Sequence, residues 1–184
     1  MMTATMWHLR RPAVLILALA LFGLAACSVD EALIAPECDG GSGLIAAQSV
    51  PSAQLLPCFD SLPDGWSYAT VHIDQNGTKV RLDSDRAGES AAVLSFDEQC
   101  DIGDAVAVPS NFDGADRFDA IERVQPGFRS RIYYRFDGGC VSWEFDFDSG
   151  TSATESIALE ESLSLLTRES VNEGLRESFI DEEL

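Results

Sequence analysis

In the stretch SYATVHIDQNGTKVRLDSD, Val71 and Ile73 alternate with Thr70, His72 and Asp74; past a polar break, Val80 and Leu82 alternate with Lys79, Arg81 and Asp83. Alternation by twos marks a strand with one buried face. The break holds Asn76-Gly77, a pair favoured in two-residue type I′ turns because both positions need positive φ. A hairpin closed there sets Val71 opposite Leu82 and Ile73 opposite Val80 on one face. It sets Asp74 opposite Lys79 and Thr70 opposite Asp83 on the other, so apolar residues meet each other and opposite charges pair.

The same period recurs downstream. SAAVLSFD predicts a third strand after the turn Arg86-Ala87-Gly88-Glu89, and AVAV a short strand within an irregular acidic excursion from Cys100 to Gly114. RFDAIERVQ, ending at Pro126-Gly127, fits a helical turn or an edge strand and is read as a strand. RSRIYYRFDGGCVSWEFDFDS gives a second hairpin. Turned at Gly138-Gly139, it pairs Phe136 with Val141, Tyr134 with Trp143 and Ile132 with Phe145 on an apolar face. Its polar face pairs Arg131 with Asp146, Arg129 with Asp148 and Tyr133 with Glu144.

After Gly150 the period changes. Ser152 followed by Glu155 matches a capping box, in which hydroxyl and carboxylate satisfy free amides at a helix start. Ile157, Leu159, Leu163 and Leu166 then form an apolar stripe, with Glu160 and Glu161 turned to water. Thr167 suits the cap of a second segment carrying Val171, Leu175 and Phe179. Strands followed by helices predict an α+β domain: a twisted antiparallel sheet of four to six strands packed by one or two C-terminal helices.

At the amino end, His8, Arg10 and Arg11 precede the uncharged run AVLILALALFGLAA, which is shorter than the ~20 apolar residues that cross a bilayer. Positive charge, a short apolar core and small residues before a cysteine describe an export signal. Leu24-Ala25-Ala26-Cys27 resembles the lipobox of bacterial lipoproteins; the plainer readings are an ordinary secretory peptide with an incidental cysteine, or an uncleaved anchor. The lipobox resemblance implies cleavage before Cys27, acyl chains on that residue, and anchoring to the extracytoplasmic face of a cell membrane. It divides the chain into a leader at 1–26, a lipid-anchored tether and disulfide-braced lead-in at 27–62, and an α+β domain at 63–184. LPDGW, LDSDRAG and GGCVSWEF give the mature part a resemblance to function-unassigned lipoproteins of GC-rich Gram-positive bacteria, which implies no activity.

Composition narrows the possibilities. The leader removed, roughly 160 residues remain, a single-domain length. The chain carries 31 acidic against 12 basic residues, a net charge of −19, and every acid follows Cys27. Such a field repels nucleic acid and anionic headgroups, so the expected partners are the membrane, through its lipid, and an envelope protein or glycan. With Cys27 acylated, Cys38, Cys58, Cys100 and Cys140 remain, an even number suited to an oxidising compartment. Of three possible pairings, Cys38 with Cys58 and Cys100 with Cys140 is favoured: the first braces the Pro- and Gly-rich lead-in and the second joins the end of one strand to the start of another. No metal or cofactor is expected. There is no CxxC, His72 is the one histidine after the leader, and the calcium-like DSDRAGES places Ala87 and Leu94 where ligands belong.

Glu144, Asp146 and Asp148 raise the one enzymatic reading, since paired carboxylates divide acid and base roles in glycoside hydrolysis. Their alternation, each set against an arginine or tyrosine, is also what a solvated sheet face requires. Glu144, Asp146, Asp148, Arg129 and Arg131 therefore form a candidate surface site, with no residue assigned as catalytic. No Gly-x-Ser-x-Gly elbow, HExxH or phosphate loop occurs. The sequence favours a non-catalytic envelope lipoprotein that binds or scaffolds another component, the alternative being a carboxylate-dependent hydrolase of envelope glycans.

Overall fold

The computed structural model describes residues 36–38, 47–148 and 150–181. The leader and Cys27 lie outside the described residues. In chain order the elements are β1 (Leu55–Phe59), β2 (Trp66–Asp74), β3 (Gly77–Ser84), β4 (Gly88–Asp97), β5 (Val106–Val108), β6 (Asp116–Arg123), β7 (Arg129–Phe136), β8 (Gly139–Asp146), α1 (Thr154–Glu161), β9 (Leu163–Thr167) and α2 (Arg168–Asp181). One antiparallel sheet of seven strands runs β2-β3-β4-β8-β7-β6-β5, and β1 pairs with β9 in a sheet of two. The fold is thus mainly β, and α+β describes it only roughly. Seven strands replace the expected four to six because β5 and β6 both join the main sheet.

Alternation assigns the faces. Val80 and Leu82, Leu94 and Phe96, Trp143 and Phe145, and Ile132 and Tyr134 are buried on the inner face of β3, β4, β8 and β7. The cover is formed by β1 and β9 together with helix residues. Phe59 of β1 packs edge-on against Trp143 at 5.9 Å between centroids and against Tyr68 at 6.0 Å. Leu159 of α1 and Leu163 of β9 complete the layer. Burying each such side chain stabilises the fold by about 1.5–3 kcal/mol.

Two local expectations change here. The stripe through Leu163 and Leu166 is not helical: residues 163–167 extend antiparallel to β1, with Leu163 opposite Phe59 and Leu166 opposite Leu56. Forming the second sheet wins because it covers the apolar face of the first. The lead-in accordingly carries regular structure, and Pro57 is tolerated in it because a two-stranded sheet has only edge strands. Arg168 ties the same region down, its guanidinium donating to the carbonyls of Ala53, Val50 and Ala47 at 2.7, 2.8 and 3.2 Å. The capping box does not form. Glu155 instead takes a bidentate grip from Arg86, at 2.9 and 2.8 Å, while Thr167 does cap α2, accepting the Ser170 N–H at 3.1 Å.

Both hairpins turn one residue earlier than the sequence suggests. Asp74 pairs with Gly77 and Val71 with Val80; Phe136 pairs with Gly139, Tyr134 with Val141 and Ile132 with Trp143. Asn76 does not adopt positive φ: among described residues Ser90 is the one non-glycine that does. The Asn76 N–H is instead drawn to the Asp74 carboxylate at 2.7 Å. Gly77 sits within β3, where a Cβ would strike the Phe96 carbonyl of β4, and so serves close strand approach and not the turn. A shift of one turn residue moves every pair by two positions, so each side chain keeps its face.

Cys38 lies at disulfide distance from Cys58, and Cys100 from Cys140, with Cα atoms 4.9 and 5.8 Å apart. Both separations suit a bridge.

Candidate functional site

The outer face of the main sheet carries the residues singled out in the sequence. The register sets Arg129 opposite Asp146 and Arg131 opposite Glu144, replacing the expected pairs of Arg131 with Asp146, Arg129 with Asp148 and Tyr133 with Glu144. Asp146 is gripped by Arg129 and, at 3.1 Å, by Arg123 of β6. The Arg129 hydrogen bond, partly opposed by burial, holds the Asp146 carboxyl below the usual carboxylate range. Arg131 turns from Glu144 to Glu122 of β6, leaving Glu144 exposed. Asp148 lies past the end of β8, where its backbone N–H bonds the Ala87 carbonyl at 2.9 Å. The structure therefore brings Asp146 and Arg129 together and separates Asp148 from both.

Beside this ladder is a groove that no motif announced. Cys140, the second residue of β8, belongs to the outer face, and Cys100 holds the loop of residues 101–105 near it. Between that loop and β6 lies a cavity of about 410 Å³, lined by Asp101, Asp104, Val106, Ile121, Glu122 and Arg131 among others. The Asp101 carboxylate accepts the Gly103 N–H at 3.0 Å, which fixes the loop's turn.

A second polar group sits on the inner face, under α1. Glu160, expected to face water, is buried. Its Oε2 lies 2.9 Å from the Arg117 guanidinium and accepts from the Tyr134 hydroxyl at 3.3 Å. Arg117 also donates to that hydroxyl at 3.1 Å and to Asp119 at 2.8 and 3.1 Å. Burial raises the Glu160 carboxyl above its ordinary range despite Arg117, and burial likewise raises the Tyr134 phenol. Asp119 adds like charge that reinforces the shift at Glu160. The correction has a physical cause: an inward arginine on β6 requires a counter-charge, and α1 supplies it. The one sequence signal was Arg117 spaced by two from Asp119 on a strand, which places both on one face.

Among the described residues, no group of three His, Cys, Asp or Glu side chains is arranged to hold a metal ion, and no helix is long and apolar enough to cross a membrane. No protein-family model, curated protein or solved structure matches the chain.

Proposed function

We propose that this chain is a lipid-anchored lipoprotein on the extracytoplasmic face of a cell membrane, whose folded domain binds or scaffolds another envelope component without catalysis. The observation that carries the reading is the engagement of the outer-face carboxylates of Asp146 and Glu122 by arginines. A carboxyl kept ionised by two guanidinium groups, as Asp146 is, makes a poor proton donor. Fixed, reciprocal charges suit recognition, where complementary potentials set register and exclude wrong partners. Two cysteine pairs at disulfide distance support an oxidising compartment. The lipobox supplies the anchor, and two or more acyl chains meet the double requirement for stable membrane attachment.

Cross-linking in intact cells tests this, followed by mass spectrometry of the captured species and of the chain's own amino terminus. The expected result is acylated Cys27 and one dominant envelope partner. An unacylated terminus removes the anchor. Release of soluble fragments from purified wall glycan, abolished by Asp146→Asn, would overturn the non-catalytic reading.

A further inference from the structure

β5 pairs with only three residues of β6, Arg117 to Asp119. β6 itself continues to Arg123, with a register shift between Ile121 and Arg123, so residues 120–123 have β7 on one side and no described strand on the other. In an antiparallel ladder, alternate residues of such a stretch aim N–H and C=O outward, ready for another strand. Just where β5 stops pairing, the chain swings towards Cys100 and leaves the cavity of about 410 Å³. The step is therefore open and already shaped.

Its side chains point the same way. Val106, Ile121 and Val124 are 67, 66 and 63 % exposed, the most exposed large hydrophobic residues described. Val106 pairs with Asp119, and Ile121 lies two residues further along β6, so the first two share a face beside the step. Sheets ordinarily blunt an open edge with charge, proline or a covering segment; here Glu122 and Arg123 are charged but already bound to Arg131 and Asp146, and Val106 and Ile121 remain uncovered. On the other side of the step stand Asp101 and Asp104, neither in an ion pair, whereas Arg131 is committed to Glu122.

Charge selects the occupant. At a net −19, a second copy of this chain is repelled, and an acidic segment would meet Asp101 and Asp104 uncompensated. We infer that the β5–β6 step is a docking edge for an extended basic protein segment, which adds as a strand beside residues 120–123. Its apolar residues cover Val106 and Ile121, and its alternate cationic residues reach Asp101 and Asp104. Main-chain hydrogen bonds supply the affinity and the alternating side chains the specificity. The inference rests on the binding reading above and names the partner class.

The test titrates the full chain in detergent with a short fluorescent peptide alternating lysine and valine. Controls are a glutamate–valine peptide and lysine–valine peptides methylated on either set of alternate backbone amides. The lysine–valine peptide is expected to bind at least about tenfold more tightly than the acidic peptide and than one methylated form. Ile121→Lys and Asp104→Lys, both at exposed positions, are each expected to weaken binding about tenfold, while Thr70→Lys on the opposite edge leaves it unchanged. An unaltered circular dichroism spectrum shows that the variants fold. Equal binding of both methylated peptides with the parent, or no loss in either step variant, overturns the proposal. An envelope partner captured in cells alongside no lysine–valine binding overturns the docking edge and leaves the binding reading standing. Peptide binding that passes every control, with no partner in cells, supports the edge and removes the envelope assignment.

Discussion

Replacing Arg117 with Met leaves the Glu160 carboxylate buried without its cation. The two side chains are 19 and 10 % exposed in their pair, so water recovers little of the lost interaction. Removing one partner of a buried pair costs about 3–5 kcal/mol. Tyr134 still donates to Glu160, which places the expected loss near the lower end, about 3 kcal/mol at pH 7. For a chain of this size that lowers Tm by about 6–12 °C. The loss depends on pH. Glu160 has its pKa raised by burial in the folded state, so the stability it contributes is complete below the unfolded carboxyl pKa of about 4.3 and is lost as pH rises through the folded value. Without Arg117 only the Tyr134 hydrogen bond counters burial, so the folded pKa climbs further and the penalty at neutral pH grows. Arg117→Met should therefore be strongly destabilised at pH 7 and recover part of the difference at pH 5. Depressed groups such as Asp146 move stability the opposite way with pH, but they act alike in both proteins and cancel from the difference. Urea unfolding followed by tryptophan fluorescence, without reductant, measures the difference at each pH. A loss below about 1 kcal/mol, or one equal at both pH values, would refute the assignment of Glu160 as a buried, cation-dependent carboxylate.

Three further outcomes are expected. Serine at Cys100 and Cys140 opens a loop with a sequence separation of 40 and should cost about 4 kcal/mol, against about 3 kcal/mol for Cys38 and Cys58, separated by 20; denaturant midpoints of the double variants give the order. Gly77→Ala should cost more than about 2 kcal/mol because its Cβ meets the Phe96 backbone, whereas at Gly103, with open space around it, alanine pays only for positive φ, about 1 kcal/mol; thermal unfolding of the pair compares them. Asp146→Asn should shift the unfolding midpoint far less than Arg117→Met, and the shift should shrink in 1 M salt, since the ion pairs of Asp146 face solvent. A salt-insensitive loss would contradict a surface role.

How much of this was legible in the sequence varies with the physics of each element. The inner faces of both hairpins were readable because alternation depends only on parity, which a slip of one turn residue preserves. The turns themselves were not, because Gly77 and Gly139 look like turn residues and are needed where strands or the lead-in approach closely: a Cβ at Gly139 would strike the Phe136 ring and Ala53. Leu163 to Thr167 fitted a helical stripe and a strand equally well, and only Leu55–Phe59 as a partner, over a hundred residues away, decides between them. Of the candidate site, the pairing of arginines with carboxylates was visible in kind but not in register. Glu160 was hidden because a glutamate on an amphipathic helix defaults to the solvent side unless an inward arginine awaits it. The groove was hidden because it exists only where β5 stops.

The β1–β9 pairing also imposes an order of events. β2 to β4 and β5 to β8 each close through local hairpins, which carry low loop-closure cost and form early, and the β4–β8 pairing then joins the two halves. Leu55, however, pairs with Thr167, and Arg168 seals the contact onto Ala53. Synthesised from its amino end, the chain makes β1 before any of the sheet that β1 will cover, and must hold it in reserve until residues 163–168 emerge. During that interval Phe59 and Trp143 are not yet packed on each other, and the chain is at its most adhesive. The lid of the core is the last part that can be fitted, so a chain truncated before Leu163 should expose the inner face of its sheet and aggregate, while one truncated after Arg168 retains both strands of the lid.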